Sequence, residues 1–190
     1  MKRIASRHLT HLFSLGALAL GLMACDQEGG PVDPVPYSVK GAIEQPGMAD
    51  NFEAQAVKAS GIVNGLDRDS YPLTLFLTGE DNLKAYVAEQ GLTEAAFLAH
   101  PKLADFYNAQ LVYEDIGIVE LRGSPVGTSE TFTSEAGTTI TVTKVSDEPD
   151  GPAVRNGTVN GVPFYIACSG ENEGGLLCYA DAPVAVEFDW

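Results

Sequence analysis

The spacing of apolar residues changes near the middle of the chain from a helical to a β-type pattern. Between about residues 37 and 111 these residues recur every three to four positions, which predicts helices. The predicted helices cover Ser38–Glu44, Ala49–Ser60, Leu83–Glu89 and the segments that begin at Thr93 and Pro101. One short β-type run, Leu73–Leu77, follows Pro72 and separates the second helix from the third.

Polar side chains mark two of the predicted helix starts. Asp50 is expected to cap the second helix and Thr93 the fourth, because a side-chain oxygen there accepts an otherwise unpaired backbone N–H. The expected buried stripes are Phe52, Ala56 and Ala59 in the second helix and Leu103, Phe106, Tyr107 and Leu111 in the last one. These stripes predict a layer of helices packed on a common core.

From about Ile116 the pattern is that of strands with turn residues between them. Strands are predicted over Ile116–Leu121, Glu130–Thr133, Thr138–Val145, Val162–Ala167, Leu176–Ala180 and Val184–Phe188. Gly157 and the pair Asn160-Gly161 are turn signals. Because helices come first and strands later, the predicted fold class is α+β rather than alternating α/β.

The start of the chain has the features of a bacterial lipoprotein signal. Lys2, Arg3 and Arg7 give it a positive charge. The apolar run Leu12–Ala24 is too short to span a bilayer and fits a cleaved export signal. Cys25 follows this run and precedes polar residues, which resembles the lipobox in which the cysteine is acylated and becomes the new N-terminus.

This signal predicts three parts. Residues 1–24 are the expected signal peptide, 25–36 a lipidated tether rich in Gly and Pro, and 37–190 one domain. Two or more acyl chains, palmitate among them, would anchor Cys25 stably in a membrane. The expected location is the bacterial cell envelope, outside the cytoplasm. An ordinary signal peptide beside an incidental Cys25 is the alternative.

The composition is acidic and excludes some partners. The 190 residues carry a formal net charge of −15, and removal of the basic signal makes the mature chain more acidic still. Nucleic acid is therefore not expected as a partner, because phosphate binding needs a basic surface. No cofactor is predicted.

The two cysteines beyond Cys25 are expected to form a disulfide. Cys168 and Cys178 are an even pair in a chain that is exported, and the Gly-rich segment between them could turn a hairpin. Two free buried thiols or a metal site are the alternatives. A metal site is disfavoured because no matching second pair of Cys or His ligands is present.

The order of these segments resembles the fasciclin domain family. The resemblance is carried by Thr74–Asp81, Gly91–Val112, Glu135–Val145, Asn160–Ala167 and Leu176–Val186. It spans about Tyr37 to Phe188 and implies a fasciclin-like β-wedge with N-terminal helices packed against it. The family's proline in the first motif is Thr78 here, and its two histidines fall at about Gln110 and Cys178. Those departures affect positions that family members use for internal polar bonding or for recognising integrins.

Family members are mostly adhesion or matrix-interaction modules without a common catalytic chemistry. The resemblance therefore implies a non-enzymatic, envelope-anchored binding or adhesion module, whose partner is an envelope or matrix protein or a polysaccharide. A carrier of a small apolar ligand, a pigment or a lipid, is the alternative function. Ligand-binding residues are not assigned, and Tyr71, Tyr113 and Tyr179 are expected in the core or at its rim.

The residues themselves also argue against an enzyme. The mature chain has one histidine, His100, beside Pro101, where an exposed turn residue is expected, and no Gly-x-Ser-x-Gly motif is present. The carboxylate pairs Glu80-Asp81, Glu114-Asp115 and Asp147-Glu148 are expected on the solvated surface of an acidic protein. The acidic loop 147–151 lacks the regular spacing of an EF-hand, so no metal site is predicted.

Overall fold

The computed structural model describes residues 38–66, 72–114, 116, 124–147, 157–169, 175–184 and 190, and for residues 166–169 it describes the backbone alone. Cys25, the predicted signal peptide and the tether lie outside these ranges. So do Tyr71, most of the strand predicted at Ile116–Leu121 and the strand predicted at Val184–Phe188 beyond its first residue. Within the described ranges, no helix combines the length and apolarity needed to cross a membrane.

Helices dominate the first half of the described chain. The α-helices are α1 (Val39–Glu44), α2 (Phe52–Ser60), α3 (Glu80–Glu89), α4 (Glu94–Leu98) and α5 (Leu103–Asn108), with a 3₁₀ turn at Ile62–Gly65. Ser38 and Thr93 cap α1 and α4 by accepting backbone N–H groups, which confirms the starts predicted for those helices. The predicted cap of α2 was wrong. Asn51, not Asp50, accepts the Ala54 N–H at 2.7 Å.

The strands form one mixed sheet. They are β1 (Thr74–Leu77), β2 (Leu111–Val112), β3 (Ser129–Thr133), β4 (Thr139–Lys144), β5 (Gly157–Val159), β6 (Val162–Ser169) and β7 (Leu176–Ala180). Their order across the sheet is β2-β1-β7-β6-β5-β4-β3. Only β1 and β7 are parallel among the strand pairs described; the others are antiparallel. Helices packed with this sheet confirm the α+β class.

Three details of the predicted elements were wrong. Helix α3 begins at Glu80 rather than at Leu83. Gly157 is the first residue of β5 rather than a turn residue, while Asn160-Gly161 forms the predicted turn with φ of 50° and 83°. Leu111 belongs to β2 and not to the last helix. The predicted pairing of the strands at Val162–Ala167 and Leu176–Ala180 is confirmed by the antiparallel ladder of β6 and β7.

The sheet curls until its two edges approach one another. The Glu135 N–H, just after β3, donates to the Leu111 carbonyl of β2 at 2.8 Å, and the Ala136 N–H donates to the Asn108 carbonyl at 3.2 Å. The sheet therefore has an inner face, around which it curls, and an outer face.

Each face of the sheet has its own apolar core. The inner face encloses the sheet core, formed by Phe76, Val112, Ile116, Phe132, Ile140, Val142, Val159, Phe164, Leu176, Cys178, Ala180 and Val184. On the outer face, Leu75, Leu77, Leu111 and Leu177 pack against the helices and form the helical core with them. Because side chains alternate along a strand, the neighbours Leu75 and Phe76 enter different cores. Strand β1 thus joins the two cores.

One close approach locks β7 against β1. Gly175 has φ of 85°, and a Cβ added there would lie 2.6 Å from the Leu73 carbonyl oxygen. That same oxygen accepts the Leu176 N–H at 2.7 Å. Because glycine has no Cβ, Gly175 allows β1 and β7 to approach closely at the start of their parallel ladder.

Candidate functional site

The helices cover one half of the outer face and leave the other half exposed. The covered half is made by β1, β2 and β7, whose outward leucines belong to the helical core. The exposed half is made by β3, β4 and β5, where the residues between the buried Phe132, Ile140, Val142 and Val159 are partly or fully exposed.

Hydroxyl side chains line that exposed half, and we call it the hydroxyl face. It comprises Ser129, Thr131 and Thr133 of β3, Thr139, Thr141 and Thr143 of β4, and Thr158 of β5. None of these residues carries a charge, in a chain whose net charge is −15. The period of two in the sequence accounts for the arrangement, because every second residue of a strand points to the same side.

The register places these hydroxyls in rows across the strands. Thr131 lies opposite Thr141, and Thr133 lies opposite Thr139. A longer row runs from Ser129 to Thr143, then to Thr158 of β5 and Pro163 of β6. The Ser129 and Thr143 hydroxyls share a hydrogen bond of 2.8 Å, so this row is linked side chain to side chain. Neighbouring rows are separated by two residues of strand, about 7 Å, and neighbouring strands by about 5 Å.

A tyrosine pair stands at the border between the exposed and the covered halves. Tyr165 of β6 lies opposite Tyr179 of β7, and their rings stack with centroids 5.7 Å apart and an interplanar angle of 26°. The Tyr179 hydroxyl donates to the Met48 sulfur at 3.4 Å, which fixes this ring on the helical side. Both tyrosines are half-buried, so Tyr179, which was expected in the core or at its rim, lies at the rim of the helical core. Tyr113 is also half-buried and packs against the helical core.

Asn160, in the turn between β5 and β6, braces the hydroxyl face. Its Oδ1 accepts the Thr141 N–H at 2.8 Å, and its Nδ2 donates to the Val184 carbonyl at 3.1 Å. The Asn160 backbone N–H also donates to the Thr141 carbonyl at 2.8 Å. The Asn160 side chain therefore fixes the backbone that carries Thr141.

Replacing Asn160 is expected to weaken the fold measurably. Asn160→Ala removes the acceptor of the Thr141 N–H, which costs about 1 kcal/mol of stability. It also places alanine at a positive φ, which Asn tolerates better, and this costs about another 1 kcal/mol. Urea unfolding should therefore show a loss of about 2 kcal/mol. Asn160→Gly relieves the backbone and should show about half of that loss. Equal losses for the two variants would contradict the role of the positive φ.

The predicted disulfide pair lies on neighbouring strands. Cys178 of β7 is paired in register with Ile166, and Cys168 of β6 with Leu177, with a β-bulge between Ile166 and Cys168. The Cys178 side chain is buried in the sheet core. The side chain of Cys168 lies outside the described part of the chain, so the disulfide stays a prediction.

His100 is not the exposed turn residue that the sequence predicts. It is half-buried, and its ring meets that of Trp190 edge to face at 5.0 Å. Trp190 also lies 4.9 Å from the Phe97 ring and donates its indole N–H to the Tyr86 hydroxyl at 3.0 Å. Aromatic contacts of this kind give His100 a packing role.

The predicted surface carboxylates are exposed where the structure describes them. Asp81, Glu114 and Asp147 are exposed, while Glu80 is half-exposed and pairs with Lys84 at 2.7 Å. That hydrogen bond lowers the pKa of Glu80. Among the described residues, no group of three or more His, Cys, Asp or Glu side chains could hold a metal ion. Most of the acidic loop 147–151 and Asp115 lie outside the described ranges.

Exposed apolar surface is small within the part that the structure describes. Its exposed large apolar side chains are Val126 and Val145, at 51% and 43% of their full accessibility. Both lie at one end of the β3–β4 pair, where the Gly127 N–H donates to the Lys144 carbonyl at 2.9 Å. Two valines offer too little area to seat a pigment or a lipid, so this surface gives the carrier hypothesis no support.

The sequence reasoning missed a buried carboxylate. Glu53 of α2 is 1% exposed, and its two oxygens accept the Thr78 N–H at 2.5 Å and the Gly79 N–H at 2.8 Å. Burial raises the pKa of Glu53 to about 7, although the two N–H groups oppose that shift. Burial, together with the charge of Glu53, also raises the pKa of Tyr107. The carboxylate ties α2 to the joint between β1 and α3.

Two of the positions at which the chain departs from the fasciclin pattern carry buried polar atoms that make no hydrogen bond to described residues. Thr78 and Gln110 are buried, and the Thr78 hydroxyl and the Gln110 Oε1 make no hydrogen bond to described residues. The Tyr107 hydroxyl is also buried and makes no hydrogen bond to described residues. Cys178, the third departure, lies in the sheet core. All three changed positions are therefore inside the protein and outside the hydroxyl face.

A scan against models of known protein families finds no match to this chain. A search of curated proteins also finds no relative.

Proposed function

We propose that this chain is a non-enzymatic binding module of fasciclin type, anchored in the bacterial cell envelope by lipid on Cys25. Its partner is a protein or a polysaccharide of the envelope or the surrounding matrix. The observation that carries this proposal is the hydroxyl face, a regular and uncharged surface on an acidic protein. A β-sheet with a packed core on its other side presents such a surface rigidly.

The order of helices and strands supports the fasciclin resemblance. Helices precede β1, more helices follow it, and the remaining strands come last, as the resemblance implies. The motif Thr74–Asp81 supplies β1 and the start of α3, and the motif Leu176–Val186 supplies β7. These two segments lie side by side in the parallel pair. That this sheet forms the β-wedge of the fasciclin fold is part of the proposal.

The anchor is tested on the full chain produced in a bacterial host. The wild-type protein is expected in the membrane fraction, with diacylglycerol on Cys25 as the first residue of the mature protein. Cys25→Ser removes the thiol that receives the lipid, so the variant should be uncleaved at this site or released from the membrane. Mass spectrometry of the mature N-terminus decides, and an unmodified Cys25 in the wild type would overturn the anchor.

The binding function is tested by co-sedimentation. Purified full-length protein in detergent is mixed with insoluble envelope material, from which the lipids have been extracted. The chain is expected to sediment with this material in a saturable way. A protein of equal net charge serves as the control for non-specific adhesion. Sedimentation no greater than that of the control, at protein concentrations up to the millimolar range, would overturn the binding function.

A further inference from the structure

We propose that the hydroxyl face, with Tyr165 at its border, binds a neutral polysaccharide. This inference rests on the proposed function and names both the surface and the partner class. The ligand is a polymer rich in hydroxyl groups and free of charge. Four features of the described residues favour it over other partners.

The first feature is the hydrogen-bonding chemistry of the surface. Each Ser or Thr hydroxyl can donate one hydrogen bond and accept two, which matches the hydroxyls of a sugar in both directions. The Thr131 and Thr141 hydroxyls make no hydrogen bond to other residues of the described chain, and they face each other across β3 and β4. Their donors and acceptors are therefore directed to solvent from a fixed backbone.

The second feature is the tyrosine pair. An aromatic ring has an electron-rich face that attracts the polarised C–H groups on the flat side of a sugar ring. Tyr165 stacks on Tyr179, whose hydroxyl donates a hydrogen bond to the Met48 sulfur. Tyr165 and the exposed Pro163 stand on the same side of β6, two residues apart. A sugar chain that crosses the hydroxyl rows would reach this ring next.

The third feature is charge. The hydroxyl face contains no basic residue, and the chain as a whole carries a net charge of −15. A polyanion such as an acidic polysaccharide would be repelled over a distance of about 10 Å. A neutral polymer avoids that cost. The absence of charged residues from the hydroxyl face therefore favours uncharged partners.

The fourth feature is area. Three outward positions on each of β3 and β4, together with Thr158 of β5, span about 10 Å by about 14 Å. Addition of β6 enlarges this surface to roughly 200 Å². A stable interface between globular proteins buries about 800 Å² on each partner. The face is therefore too small for a second copy of this chain or another globular protein, and it suits a narrow polymer.

The test is native affinity electrophoresis of the full-length protein in detergent, in gels that contain dextran or a soluble β-glucan. At least one of these neutral glucans is expected to retard the wild type. The double variant Thr131→Val/Thr141→Val keeps side-chain shape and strand preference but removes two facing hydroxyls, so the apparent Kd should rise about tenfold. Tyr165→Leu should have an effect of similar size.

The matched control is Thr138→Val, the same chemical change at an exposed position in the turn before β4. It should bind like the wild type. Thermal unfolding of every variant shows that a loss of binding is not a loss of fold. Equal retardation of the double variant and the wild type would overturn the proposal, and so would retardation by the acidic polymer alginate but by no neutral glucan. Dimerisation through this face, seen by sedimentation, would also overturn it.

These outcomes are distinct from failure of the proposed function. If the protein sediments with envelope material but the double variant does so equally, the binding function stands and the hydroxyl face is not its site. If neither the envelope material nor a glucan is bound, both proposals fail.

Discussion

A rise in pH from about 5 to about 8 is expected to destabilise the wild-type protein by roughly 2 to 3 kcal/mol more than a Glu53→Gln variant. The cause is the buried Glu53 carboxyl, whose pKa is raised by desolvation from 4.5 to about 7. An acid with a raised pKa in the folded state holds its proton there more tightly than in the unfolded chain. The stabilisation from this proton is complete below about pH 4.5 and is lost as the pH rises through about 7.

The charged groups around Glu53 do not reverse this direction. Glu80 of α3 adds a repulsion that raises the pKa further, while the Thr78 and Gly79 N–H groups lower it. Lys84 pairs with Glu80 at the surface, and Tyr107 of α5 stays neutral because its own pKa is raised. Desolvation is the largest of these effects, so the ionised carboxylate remains costly in the fold.

The measurement is urea unfolding at a series of pH values. Glu53→Gln keeps an acceptor for one of the two N–H groups and cannot ionise, so its stability should depend less on pH. The exposed Glu89→Gln serves as a matched control and should follow the wild-type curve. Parallel curves for the wild type and Glu53→Gln would show that the buried carboxyl is not responsible.

Phe97→Ala is expected to lower the free energy of unfolding by roughly 3 to 5 kcal/mol. Phe97 is fully buried, and its ring lies 5.9 Å from that of Phe52, 5.6 Å from that of Phe106 and 4.9 Å from that of Trp190. Truncation leaves a cavity where α2, α4 and α5 meet, because three large rings cannot all move in to fill it.

Fluorescence gives an independent measure of the same change. Trp190 is the only tryptophan in the sequence, and its ring packs on that of Phe97. The emission of Phe97→Ala should shift to longer wavelength as the indole becomes more exposed. Phe97→Leu fills most of the space and should cost about 1 kcal/mol. A loss below about 1 kcal/mol for the alanine variant would contradict the packing described for this cluster.

Local signals predicted the elements well. Thr93 caps α4 as predicted, because its short side chain reaches the backbone N–H three residues on, a property that depends only on nearby sequence. The alternation in Thr139–Lys144 likewise predicted a strand with one buried side. Asn51 and Asp50 are both good caps, so the sequence alone could not choose between them.

Tertiary contacts account for what the sequence did not predict. The stripe predicted for α2 included Ala59, which is exposed, and omitted Glu53 and Val57, which are buried. A stripe on one side assumes a helix with one neighbour, whereas α2 contacts α3, α4 and α5. A glutamate is usually assigned to the solvent side. Only the pairing of Glu53 with the N–H groups after β1 makes its burial possible.

The sequence indicated only part of the hydroxyl face. The threonines of β4 alternate with buried residues, but their alignment with those of β3 depends on register. Register is fixed by the turn Ser134–Thr138, in which the Ser134 N–H donates to the Thr138 carbonyl at 2.8 Å, and by the curl of the sheet. Neither follows from one strand alone. Tyr165 and Tyr179 were likewise brought together by pairing between β6 and β7.

The parallel pair of β1 and β7 also sets the order in which the protein can fold. Thr74 is paired with Leu176, about a hundred residues further along the chain. Closing so long a loop costs entropy before any contact compensates for it, and contacts of this kind slow folding. In a chain exported unfolded to the envelope, the helices would emerge first, and β1 could pair with β7 only after the last strand had emerged. Envelope chaperones would therefore meet this protein as exposed helices beside an unpaired β1.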